Sequence, residues 1–153
     1  MVVSRLAERI LGVLTAAALG VDAYVHFANA SSYEAVTSSV VSEATLFRAQ
    51  AAAAVVVAVV LLARPGLAAW VVAVVVAAAA LGAVLLYTHV DVGTLGPLPN
   101  LYEPTWQLPG KLASAVAEGI AVLLALAGTA LSLRRRSADR AAAAQLVSAG
   151  RAA

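Results

Sequence analysis

Residues Gly66 to Leu86 form 21 consecutive apolar positions. As a helix that run is about 31 Å long, the thickness of a bilayer's hydrocarbon core. Three comparable runs accompany it: Ile10 to Ala28, Ala44 to Ala63, and the interval between Lys111 and Arg134. A backbone crossing hydrocarbon must satisfy its own hydrogen bonds, which restricts segments of this length to helices. The composition agrees, because 63% hydrophobic against 12% charged residues lies far outside the soluble globular range.

These runs predict an all-α fold, a four-helix antiparallel transmembrane bundle. The expected membrane domain is 1–136, with helices at about 8–28, 43–63, 67–90 and 111–134 and outer loops at 29–42 and 91–110. Residues 137–153 form an Ala/Arg-rich tail, either a helical extension or disordered. Arg5, Arg9, Arg64, Arg134, Arg135, Arg136, Arg140 and Arg151 fall on one side, leaving only Lys111 and Arg48 for the other. That asymmetry puts both termini in the cytoplasm of a multi-pass protein of the inner (plasma) membrane. Arg5 and Arg9 before Ile10–Leu19, with Ala18-Leu19-Gly20 following, also resemble a secretory signal. Apolar character continues through Val21, Ala23, Tyr24, Val25 and Phe27, which favours a retained helix.

The chain has no cysteine, so disulfides and thiolate metal sites are excluded. Basic residues cluster at the ends of the runs and form no patch for nucleic acid. The Ala, Val and Arg bias points to a high-GC bacterial source. In the first loop Ser42 is placed to cap the second helix, with Glu43 in its first turn. The second loop holds Pro97, Pro99, Pro104 and Pro109 with Tyr102 and Trp106, and is expected to be an ordered cap on the bundle.

Three runs carry one internal charge each: Asp22, Arg48 and Glu118. Counted from the outer helix ends, all three lie six or seven residues deep, roughly 9 to 10 Å. Asp22 and His26 share a helix face, and Lys111, Ser114 and Glu118 form another polar stripe. Arg48 is expected to fork onto both Asp22 and Glu118, leaving one negative charge to be met by a proton, by His26 or by a bound cation. Intramembrane ionisable groups either lock helices together or serve a ligand, and the spacing alone does not choose.

Several chemistries fit this outer layer. His26 and His89 are candidate axial ligands for a haem b, and Tyr87, His89 and Trp106 are candidate contacts for a quinone under the loop. His26, His89, Asp22 and Glu118 are a possible divalent-metal set without a recognised ligand spacing. A proton-linked small transporter is a further alternative, although the inner half offers no evident path. No nucleophile–base pairing stands out for hydrolysis, so the chain reads as a binding protein ahead of an enzyme.

The segments Ser42-Glu43-Ala44-Thr45-Leu46-Phe47-Arg48 and Gly96-Pro97-Leu98-Pro99-Asn100-Leu101-Tyr102-Glu103-Pro104-Thr105-Trp106, followed by Lys111 and Glu118, resemble those of a group of small actinobacterial integral membrane proteins. The resemblance covers about residues 5 to 135, and those proteins have four helices and no assigned activity. The architecture is also similar to the broad DoxX-like class, some of whose members associate with quinol or thiol redox systems. What these resemblances imply is a location and a fold. The function expected from the residues is a small inner-membrane binding or accessory module. Its outer cluster of Asp22, His26, Arg48 and Glu118 either locks the bundle or holds a small ligand. Its partners are the lipid bilayer and either a larger membrane complex or a second copy, met through smooth helix faces such as that carrying Gly12 and Gly20.

Overall fold

The computed structural model describes residues 2–152. The chain is four helices, α1 (Val2–Asn29), α2 (Glu43–Ala63), α3 (Leu67–His89) and α4 (Lys111–Ala152), with a 3-10 turn at Ala30–Tyr33. No strand occurs among the described residues; Thr37 with Ser42 and Leu95 with Leu98 form isolated bridges. All four helices contain a stretch long and apolar enough to cross a membrane.

Local chemistry sets the ends. Ser42 adopts extended backbone and its hydroxyl accepts from Thr45 N–H at 3.1 Å, capping α2. Arg64-Pro65-Gly66 separates α2 from α3, since Pro65 disfavours a helical Arg64 before it. Gly110 precedes α4 at φ 78°, a left-handed conformation costly for other residues. A Cβ there would also meet Val25 Cγ1 at 2.8 Å, so the loop lands directly on α1.

Two ends differ from expectation. The first helix begins at Val2 instead of near residue 8, and the fourth runs through to Ala152. Residues 137–152 are therefore helix, consistent with the high helix propensity of Ala and Arg. Met1 and Ala153, the outer limits of the expected domain and tail, lie outside the described residues.

Helix α1 packs against α2 and α4, while α3 packs against α4 and less extensively against α2. Contact is made by small side chains: Ala51, Ala54, Ala73, Ala77, Ala121 and Ala125 are all buried. The larger Val55, Val59, Leu62, Val75, Leu123 and Leu126 point outward and are exposed. A soluble bundle has the reverse arrangement. Small contacts let backbones approach, which is how helices associate where hydrophobic burial supplies little drive.

Trp70 is the largest fully buried side chain. It fits because α4 offers Gly128 opposite it: a Cβ at 128 would lie 2.4 Å from the indole Cδ2 and Cε3. Its Nε1 finds no acceptor in this apolar layer. Leu19, Leu61, Ala121 and Ala125 complete the layer, which separates two polar regions of the molecule.

Candidate functional site

The first polar region is built mainly on α1 and α4. Asp22 is fully buried on α1, and Ser114 and Glu118 occupy one face of α4 one turn apart. His26 Nδ1 lies 2.8 Å from Asp22 Oδ1, across one turn of α1. Gln50 Nε2 donates to Asp22 Oδ2 at 2.9 Å from α2. Ser114 Oγ sits 3.0 Å from Asp22 Oδ1 and 3.0 Å from Glu118 Oε1. Phe47 packs against the His26 ring at 5.1 Å between centroids, nearly edge-on, and fixes its plane.

Proton counting exposes an imbalance. A serine hydroxyl has one hydrogen and can donate to only one of two carboxylate oxygens. Asp22 Oδ2 takes the Gln50 amide and Oδ1 lies 2.8 Å from His26 Nδ1, which also reaches Asp22 O at 3.1 Å, whereas Glu118 Oε1 has only Ser114 and Glu118 Oε2 has no partner at all. Glu118 is 1% exposed, so its free oxygen is not hydrated from bulk solvent. An unpartnered buried carboxylate oxygen costs free energy on the order of 1–3 kcal/mol or more.

Glu118 and His26 line a cleft of about 400 Å³ between the helices and the 91–110 loop. Val25, Leu46, Phe47, Ala83 and Val84 form its apolar walls. Its rim carries Glu43, Tyr33, Glu103 and Lys111. Tyr33 OH lies 3.1 and 2.9 Å from the two Glu103 carboxylate oxygens and donates its one hydrogen to that carboxylate, and Lys111 Nζ donates to Glu103 O at 2.7 Å. The loop is pinned further by Glu103 N–H to Tyr87 O at 2.9 Å and by Asn29 Nδ2 to Pro109 O at 3.0 Å. Ser38 Oγ donates to Pro97 O at 2.6 Å and ties the two loops together. The cleft is roofed by an anchored loop.

The residues expected here are sorted by this geometry. Asp22, His26 and Glu118 meet, and their ligating atoms all lie within 4.8 Å of one another. Arg48 does not join them. It is 47% exposed and pairs with Glu34. The reason is helical phase: Arg48 lies about 120° around α2 from the buried Ala54. Gln50 takes the place on Asp22 that was expected of Arg48. Tyr87 lines the cleft, but Trp106 and His89 do not. His89 is exposed, with its Nδ1 2.8 Å from Leu85 O and its ring 6.1 Å from that of Trp106. His26 therefore lines this cleft and His89 does not.

Sequence reasoning passed over Gln50 as a partner and Glu43 and Glu103 as cleft residues. Phe47, Gln50, Ala51 and Ala54 recur at helical spacing, and that small-residue stripe was the available signal for the inward face of α2. It also missed a second polar region at the other end of α1. Glu8, buried, accepts from Ser132 Oγ at 3.1 Å and from Arg135 Nη1 at 3.0 Å. The chain matches no protein-family model, no curated protein and no solved structure.

Proposed function

We propose that this chain is a small multi-pass protein of the plasma membrane that binds a small ligand in the cleft beneath the 91–110 loop. Its four helices would cross the bilayer in antiparallel order with both termini cytoplasmic, the orientation that the clustering of arginines at one side favours. The cleft then opens in the outer leaflet. The observation that carries the reading is Glu118: its Oε2 is buried without a partner, and the residue lines a cavity of about 400 Å³. Polar groups kept unsatisfied beside a mostly apolar cavity of this size are the usual anatomy of a small-molecule site.

The wall also defines what fits. Glu43, Glu103 and Glu118 outnumber Lys111 and His26 among its ionisable groups. A ligand with an apolar body and a positively charged or proton-donating end complements it. A quinone, whose carbonyls only accept, finds Tyr33 committed to Glu103 and is left with Tyr87 and the remaining Lys111 hydrogens as donors. The Asp22 network also joins three helices, so binding and bundle locking draw on the same residues. Proton-linked transport gains no support. Leu19, Trp70, Ala121 and Ala125 fill the layer between the two polar ends, and the buried Thr15 turns its hydroxyl back to Leu11 O.

The test is native mass spectrometry of the full chain extracted gently from its own membranes. A bound mass of a few hundred daltons is expected, lost in Ala83→Phe. Ala83 is exposed and lines the cleft, so the larger side chain fills the cavity without entering the core. A bare wild-type chain, or a mass equally retained by Ala83→Phe, overturns the reading.

A further inference from the structure

We propose that Asp22, His26 and Glu118 hold a first-row divalent cation at the polar end of the cleft, with at least one coordination position open to the cavity. The inference deepens the ligand-site reading above and rests on it: the positive group that meets the acidic wall is the ion itself.

Three independent observations converge on this. The first is donor geometry. One imidazole nitrogen and two carboxylate oxygens from α1 and α4 lie within 4.8 Å of one another. In a tetrahedral site with bonds near 2.1 Å, ligand atoms are separated by about 3.4 Å, so each donor closes by about 1 Å or less. The second is valence. Glu118 Oε2 is buried and unpartnered, on a side chain that lines the cleft, and is the coordination site that hydrogen bonding has left vacant. The third is charge. Two carboxylates share this region; Arg48 pairs with Glu34 and Lys111 Nζ turns to the Glu103 carbonyl, which leaves the His26 ring, among the described residues, as the one basic group beside them. A divalent ion neutralises both carboxylates while leaving the imidazole neutral, the form in which histidine is a ligand.

The supporting residues are those a metal site needs. Gln50 and Ser114 fix the Asp22 carboxylate, and Phe47 fixes the His26 ring. The mixed imidazole and carboxylate donors suit zinc, iron or manganese better than magnesium or a thiophilic ion. Three protein ligands with an open position is the arrangement of ions that bind or activate a further group, not of closed structural sites.

The experiment uses the full chain in detergent, stripped with chelator and titrated with Zn²⁺ by calorimetry and with Co²⁺ by visible absorption. One ion per chain is expected, with intense Co²⁺ bands of low coordination number. His26→Gln and Glu118→Gln should each weaken binding beyond the roughly 10- to 100-fold that loss of a supporting residue produces, whereas Ser114→Ala should fall within that range. His89→Gln should leave affinity unchanged. Circular dichroism and thermal unfolding identify any variant that does not fold, and the wild-type titration decides without it. Failure of wild type to take up either ion stoichiometrically overturns the proposal, as does uptake undiminished in folded His26→Gln or Glu118→Gln. If uptake fails while native mass spectrometry still finds an organic ligand that Ala83→Phe loses, the metal is wrong and the cleft reading stands.

Discussion

The α1–α4 interface buries a carboxylate beside a serine at each of its ends, yet the two ends are finished differently. At one end Glu8 has both oxygens occupied, by Ser132 and by Arg135. Its charge is matched within the pair. At the other, Asp22 and Glu118 share one serine, Arg48 turns away to Glu34, and one oxygen of Glu118, a residue that lines the cleft, has nothing to bond. The first end has the chemistry of a lock, in which removing any member leaves an uncompensated group. The second is stable enough to fold while retaining spare valence. Carboxylate burial alone therefore does not mark a site; incomplete satisfaction next to a cavity does.

The comparison depends on the two ends being separate, and Trp70 is what separates them. Trp70→Ala should have the largest effect, a loss of about 3–5 kcal/mol for the largest fully buried side chain. Reversible unfolding in mixed micelles measures it. A loss under about 1 kcal/mol would mean that the layer is loosely filled and that the ends communicate. Arg135→Ala comes next, at about 2 kcal/mol, below the full cost of breaking a buried pair because Arg135 is 38% exposed. Adding Glu8→Ala in the same chain should restore part of that loss, since the stranded carboxylate is then removed. Additive losses would deny that the closed end is a coupled pair.

Much of the architecture was legible in the chain because hydrocarbon leaves few options. Apolar run length gave α2 and α3 nearly to the residue, and Ser42 with Glu43 marked the start of α2. Asp22 and Glu118 were legible as neighbours because depth along a helix is simple arithmetic. Rotation about the helix axis was not. Arg48 has the right depth and the wrong azimuth, and α2 is apolar nearly all round, so hydropathy carries no phase for it. The phase resides in residue size instead, in the Ala51 and Ala54 stripe that seats Gln50 against Asp22. Glu8 was overlooked for a related reason: lying between Arg5 and Arg9 it reads as part of a solvated basic flank, and only its partner on α4, 127 positions later, shows otherwise. His89 illustrates the converse, a residue of promising type that α3 leaves exposed.

Ser114→Ala sharpens the open end. It removes one donor shared by two carboxylates, and a cost of about 1 kcal/mol is expected for a single buried hydrogen bond. Unfolding in the same micelles reads it. A much larger loss would show that the serine, more than His26 or Gln50, holds Asp22 in place.

The smallest effect is the most discriminating. Glu118→Gln keeps shape and volume, retains an oxygen for Ser114 and adds an N–H₂ group where Oε2 has no partner to lose. Asp22, close by, gains relief from a like charge. Stability should therefore change by no more than about 0.5 kcal/mol in either direction, because no existing contact is broken. Glu8→Gln is the matched control, since there the same change removes the charge that Arg135 pairs with and puts a donor against a donor. It should cost distinctly more in the same unfolding assay. If Glu118→Gln proves the more damaging of the two, Glu118 contributes its charge to the folded bundle, and the open end is a lock after all. If it is silent in stability, the carboxylate at position 118 is retained for something other than holding the helices together.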